Sequence, residues 1–158
     1  MTVAARVALR PAGHADAELL WTWRNDPETR AASFESSPVS FDDHLRWLQQ
    51  VLSRTDRRLY VATLAGDAVG TARLDVDSDE ALVSLTVAPS HRGRGLGVEM
   101  LGALAEEAFA VLRLRRLVAR VRLSNARSRV VFERAGFVLV EEAGTLTFAR
   151  ERPGGTRA

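Results

Sequence analysis

The stretch Val87-Ala88-Pro89-Ser90-His91-Arg92-Gly93-Arg94-Gly95-Leu96-Gly97 decides how this chain is to be read. Before it, Ala81 to Val87 has the composition of a strand. After it, Val98, Leu101, Leu104, Ala105, Ala108 and Leu112 recur at helical spacing. Pro89 stops the strand, and glycines at alternate positions lead into the helix. Such a turn binds anions. With no side chains in the way, successive backbone N–H groups point into one concavity, and the helix N-terminus adds roughly half a positive charge there. Arg92 and Arg94 can add charge-assisted bonds to the same oxygens. A P-loop would need a lysine that this sequence lacks, and too few strand-helix units surround the turn for a dinucleotide fold.

Outward from the turn, Val7 to Arg10 reads as a strand, followed by a helix carrying Ala15, Leu19, Leu20 and Trp23 that ends near Asn25-Asp26-Pro27. A polar loop is expected to Pro38. Ser40 and Asp43 then flank the start of a second helix with Phe41, Leu45, Leu48 and Leu52 on one face. Leu59 to Leu64 and Ala68 to Val76 are strands joined through Ala65-Gly66-Asp67, a hairpin turn. Past the central helix, Leu117 to Val121 is a strand and Asn125 to Ala135 a helix closed by Gly136. Strands follow at Phe137 to Glu142 and Thr145 to Arg150. This order predicts an α+β fold, a mixed and largely antiparallel sheet flanked by helices. We expect a single domain over residues 5–151 and a disordered tail over 152–158.

The chain of 158 residues is long enough for one continuous core and contains no cysteine, so neither a disulfide nor a cysteine thioester on the protein is available. No apolar run suffices for a membrane span and Met1 to Arg10 lacks a signal-type segment, so a cytoplasmic protein without membrane association is expected. The sequence pI of about 10.2 suggests nucleic acid, but the net charge is only +2 and all 22 basic residues are arginine. With no lysine, little loses a proton below the arginine range, and the pI is inflated. No concentrated basic stripe is present, so nucleic acid is not an expected partner. Three scattered histidines give no metal site.

With Leu85, Val87, Pro89, Arg92, Gly95 and Gly97 in register, the central stretch resembles the GNAT superfamily of acyl-CoA-dependent N-acetyltransferases. Asn125-Ala126-Arg127-Ser128 through Phe132-Glu133-Arg134-Ala135-Gly136-Phe137 resembles that family's second cofactor-side segment, in the form found in its ribosomal-protein (Rim-type) branch. The resemblance implies acetyl-CoA as cosubstrate and no metal. The backbone of Leu85, Thr86 and Val87 would pair with the pantetheine arm. Arg92, Gly93, Arg94, Gly95, Leu96, Gly97 and Val98 would hold the pyrophosphate, and Asn125 with Ser128 would line the thioester end. A backbone N–H near Val87 is the implied oxyanion donor. Where many relatives carry a proton-donating tyrosine, this chain has Phe132, leaving Ser128 as the candidate acid. Asn125 is equally readable as a helix cap.

The first half should supply the acceptor site. Trp23-Arg24-Asn25, Arg30, and His44 with Trp47 on the second helix resemble the GNAT branch that acetylates UDP-linked 4-amino sugars. That resemblance implies acceptor contacts from Arg24, Asn25, Arg30, His44 and Trp47, with His44 also a candidate base. The plainer alternatives are that Arg24 to Pro27 is a helix end with its cap and that His44 is a structural histidine on an apolar face. The expected function is acetyl transfer to a small-molecule primary amine, with a nucleotide-linked amino sugar as the specific acceptor. The alternatives are a protein N-terminus or other metabolite amine, and a non-catalytic acyl-CoA-binding module. Whether the protein forms a homodimer is left open.

Overall fold

The computed structural model describes residues 6–154. Seven strands form one sheet: β1 (Ala8–Pro11), β2 (Arg57–Leu64), β3 (Asp67–Asp77), β4 (Glu80–Val87), β5 (Arg116–Arg122), β6 (Val138–Glu142) and β7 (Thr145–Glu151). Their spatial order is β1-β2-β3-β4-β5-β7-β6. Neighbours are antiparallel except β4 and β5, which run parallel because helix α4 (Leu96–Glu106) carries the chain back between them. The α+β class and mixed sheet expected from the sequence are what is observed.

Period-two alternation divides the sheet into two faces. On β3, Ala72, Leu74 and Val76 join the core formed with α4 and α5 (Ala126–Arg134), where Leu101, Leu104, Phe132 and Phe148 pack. On the opposite face, Leu59 and Val61 of β2 meet Leu20 and Trp23 of α1 (Ala17–Arg24) and Leu48 and Val51 of α3 (Phe41–Ser53). Helix α3 starts where Ser40 accepts the N–H of Asp43 at 3.1 Å, and its buried stripe is His44, Leu48 and Val51. Helix α5 ends at Gly136, whose φ of +88° favours glycine.

Two expectations change. The stretch after Asn25 is not a loop throughout: Pro27–Ala32 forms a short helix, α2, with Asp26 accepting the N–H of Thr29. Asp followed by Pro is a helix-start signal as well as a stop, and here it is both. The central helix does not run regularly to Leu112 but widens into a π-helical turn at Glu107–Val111, with the Leu112 N–H reaching the Glu107 carbonyl. At the C-terminus the Arg152 N–H bonds to the Arg115 carbonyl. The remainder of the expected tail, 155–158, and the first residue of the expected domain, Ala5, lie outside the described residues.

Pairing between β4 and β5 covers only Glu80 to Leu82 against Arg116 to Val118. The strands then part, so Val83 to Val87 has a strand neighbour on the β3 side alone. That side is tight. A Cβ at Gly70 of β3 would lie 2.5 Å from the Thr86 carbonyl oxygen and 2.6 Å from Met100 Cε. Gly70→Ala should therefore lower the unfolding free energy by about 1–3 kcal/mol, the usual cost of overpacking, read from urea midpoints. An unchanged midpoint would mean that β4 has room to yield.

Candidate functional site

Three distant pieces of sequence converge at Gly97. A Cβ there would sit 3.1 Å from Val131 Cγ1 on α5 and 3.7 Å from Val87 Cγ2 at the end of β4. Glycine thus lets the start of α4 approach both the free end of β4 and the start of α5. Gly93 and Gly95 have φ of +78° and +72°, and Gly95 occupies the N-cap position of α4 without a side-chain cap. The first N–H groups of α4 thus receive no hydrogen bond from a capping side chain. Leu96 is buried, Val98 half-buried and Arg94 exposed, while Leu85, Thr86 and Val87 are half-buried along the parted edge of β4.

Arg92 does not project freely over this turn. It donates to Asp26 at 2.5 Å and to Thr29 Oγ1 at 2.9 Å, and pairs with Glu28 at 3.2 Å, all at the start of α2. The Arg92 bond holds the Asp26 carboxyl below the usual carboxylate range. Glu28 also faces Arg127 of α5 at 3.4 Å. At α5, Asn125 Oδ1 accepts the Ser128 N–H at 3.1 Å, so Asn125 is a helix cap, and Ser128 is half-buried in the first turn. Phe132 is buried, edge-on to Phe137 and stacked on Phe148.

Beside the parted edge of β4 lies a cavity of about 470 Å³ lined by Leu85 and Thr86 together with Arg24, His44 and Trp47. That volume suits a small molecule. Of the five residues expected at the acceptor, these three meet there. Asn25 instead exchanges two hydrogen bonds with the backbone of Val39, at 2.7 and 2.8 Å. Arg30 donates to the Asn25 carbonyl at 3.2 Å. Both fasten the segment that follows α2. Glu35 also lines it, and the remaining polar residues there, Thr71, Arg73 and Ser84, were not singled out in the sequence. The available signal was polar residues alternating with apolar ones along β3 and β4.

The cavity wall is electrostatically ordered. Arg73 donates to Asp75 at 2.9 Å, and its guanidinium lies 5.6 Å from the Trp47 ring centroid, a cation–π contact. The His44 ring is 5.2 Å from that of Trp47. Arg24 Nη2 donates to the Glu35 carbonyl at 2.7 Å, while Arg24 Nη1 and His44 Nδ1 are buried without a partner. Burial, reinforced by the nearby Arg24 charge, lowers the His44 pKa from its ordinary 6.5, so the imidazole is neutral at neutral pH and able to accept a proton. Among the described residues no group of three or more His, Cys, Asp or Glu could hold a metal, and no helix is long and apolar enough to cross a membrane.

A family profile described as "Acetyltransferase (GNAT) domain" matches residues 6–138. The spermidine N(1)-acetyltransferase of Vibrio cholerae serotype O1 is 23% identical over 146 residues, covering 87% of this chain and 84% of that protein. Among solved structures, AAC(6')-Ib in complex with paromomycin and acetyl-CoA superposes with a TM-score of 0.84 at 23% identity, covering 93% of this chain and 94% of the other. Spermidine N-acetyltransferase from Vibrio cholerae with CoA and spermine superposes at 0.85 and 19% identity, covering 93% and 96%. These relatives belong to neither of the two branches that the halves of the sequence resemble.

The lowered His44 pKa has a thermodynamic consequence. Unfolded chains take up the imidazole proton as pH falls below 6.5 while the folded protein does not, so stability should drop with falling pH just below that value. The carboxylate Asp26 acts in a separate, more acidic window, since its pKa is lowered from 3.8. Urea midpoints between about pH 7.5 and pH 5.5 should slope for the wild type and be flatter for His44→Gln. Equal slopes would show that His44 is not desolvated.

Proposed function

The chain belongs to the GNAT family of acetyltransferases, and on that premise we propose that it moves an acetyl group from acetyl-CoA directly onto a primary amine of a small-molecule acceptor. The observation that carries this reading is the continuity of the parted β4 edge. One end leads to the uncapped start of α4, and the other opens into the cavity at Leu85 and Thr86. Acetyl-CoA supplies an activated thioester. The first N–H groups of α4, with Arg92 and Arg94, receive its diphosphate, and the unpaired backbone groups of Leu85 to Val87 bond the amides of its pantetheine arm. Asn125 and Ser128 border the thioester end.

With no cysteine in the chain, no thioester on the protein can intervene, and in this reading the amine attacks the bound acetyl-CoA itself. The amine must be uncharged to attack, and neutral His44 in the same cavity is the group suited to take its proton. As the carbon–nitrogen bond forms, a backbone N–H near Val87 stabilises the charge developing on the thioester oxygen. The carbon–sulfur bond then breaks, and the departing thiolate needs a proton. Phe132 has none to give and is packed into the core, so in this reading the Ser128 hydroxyl, half-buried at the start of α5, passes a proton to the sulfur and regains one from solvent, to which His44 releases the proton taken from the amine.

Among finer acceptors, a nucleotide-linked amino sugar draws support from Arg24 and the flat face of Trp47 in the cavity. A peptide N-terminus would call for an open acidic groove, and a non-catalytic module for an apolar plug. The cavity is open space rather than a plug, and its largely apolar lining carries two arginines against one carboxylate, which speaks against both.

Calorimetry with acetyl-CoA provides the test. The wild type should bind, and Gly95→Asp should weaken binding more than about tenfold by placing a strained, negatively charged residue at the phosphate seat. Asp26→Asn combined with Glu28→Gln should tighten it severalfold, because Arg92 no longer has carboxylates competing with phosphate. Absence of wild-type binding would overturn the reading. Thiol release dependent on an added amine would then establish transfer.

A further inference from the structure

We propose that the acceptor carries, besides its amine, an anionic group, a carboxylate or a phosphate, that seats against Arg24, beside His44, on the α1–α3 wall of the cavity. The inference rests on the acetyltransferase reading and narrows its substrate class. Spermine and paromomycin, bound by the structural relatives, are polycations, whereas Arg24 on the lining of this cavity has no carboxylate partner.

The charges in the cavity can be followed one by one. Arg73 is neutralised by Asp75, which also faces Arg57 at 3.7 Å. Glu35 is exposed and serves Arg24 through its carbonyl oxygen rather than its carboxylate. Among the described residues no carboxylate lies within 4.0 Å of Arg24. Its guanidinium therefore keeps a full positive charge with one nitrogen buried and unpartnered, next to an imidazole whose Nδ1 is in the same condition. Arg24 itself is half-buried, and beside it the buried His44 Nδ1 lacks a partner, so an incoming anion would supply the counter-charge and the hydrogen bonds that this wall leaves unmade.

Both groups line the cavity that also reaches Leu85 and Thr86. An acceptor whose anion lies against Arg24 would keep its amine within the same cavity, within reach of His44 and of the parted β4 edge at Leu85 and Thr86. Arg24 Nη1 is closed to solvent as it stands, and a turn of the flexible arginine side chain on binding brings it to the anion, a common adjustment in recognition. The planar fork of arginine suits both carboxylate and phosphate oxygens. A polyamine or aminoglycoside would instead place ammonium groups against an uncompensated cation, with Glu35 as the single carboxylate on the lining.

The experiment uses protein saturated with acetyl-CoA, so that the α4 turn is filled and added anions can report only on the cavity. Saturation by calorimetry comes first: its failure would sink the acetyltransferase reading, whereas everything after it bears on this proposal. Inorganic phosphate and acetate are then titrated while the His44 imidazole is followed by NMR. At least one should move that resonance saturably, and their relative strength tells phosphate from carboxylate. Arg24→Gln should abolish the shift while leaving acetyl-CoA binding intact, and Arg24→Lys, which keeps the charge if Gln disturbs folding, should retain it in weakened form. In thiol-release assays, glucosamine 6-phosphate against glucosamine, and amino acids against their amides, the anionic member should have a KM lower by about tenfold or more, the worth of one charged hydrogen bond. A His44 resonance unmoved by both anions, or turnover of spermidine in preference to every anionic amine, would overturn the proposal.

Discussion

A parallel strand pair that stops pairing after three residues is the constraint on which the rest of this molecule depends. Backbone N–H and C=O groups demand partners, and an abandoned strand edge inside a sheet is normally expensive. Here β4 keeps its β3 neighbour along its whole length and loses β5 after Leu82. The close fit of Gly70 beneath Thr86 fixes β4 from one side, and the approach of Gly97 to Val87 and Val131 sets the start of α4 and of α5 around the gap. Two glycines without side chains thus define where a ligand with its own amides and phosphates can complete the sheet.

The second organising element is α2 and the segment after it, which tie the two halves of the site together. Asp26 and Glu28 take Arg92, Glu28 faces Arg127, and Arg122 of β5 donates to the carbonyls of Ala31 and Ser33. Farther along, the Glu35 carbonyl holds Arg24 and Val39 holds Asn25 and Trp21. The residues that fasten this segment are thus drawn both from the glycine-rich turn before α4 and from the cavity wall.

The turn at Arg92 to Gly97 was legible because glycine spacing, a strand before and a helix after are local properties. Helix α5 and its Asn125 cap were legible for the same reason. Less visible was the start of α2, since Asp26-Pro27 carries signals for both ending and beginning a helix and only tertiary contact from Arg92 shows the beginning in use. The site residues of β3 and β4 were missed because Thr71, Arg73 and Ser84 look like ordinary solvent-facing strand positions until α1 and α3 cover them. Arg24, Asn25 and Arg30 read alike in sequence, yet Asn25 and Arg30 spend their hydrogen bonds on the backbone around them while Arg24 reaches the cavity. Which of several neighbouring polar residues faces a ligand is decided by long-range packing, and no local pattern encodes it.

Every basic side chain in this sequence is a guanidinium or an imidazole, and none is an ε-amine. Arginine remains protonated and its nitrogen lone pairs are delocalised, so it is a poor nucleophile towards a thioester at neutral pH. An enzyme that holds an acyl thioester beside its own surface faces a standing hazard of acylating itself, most of all at lysines near the reacting carbon. This protein presents no lysine to be modified, and its electrostatic contacts, including the Arg92 to Asp26 pair, cannot be erased by the reagent it handles. Stable amide formation on a lysine side chain is closed to it.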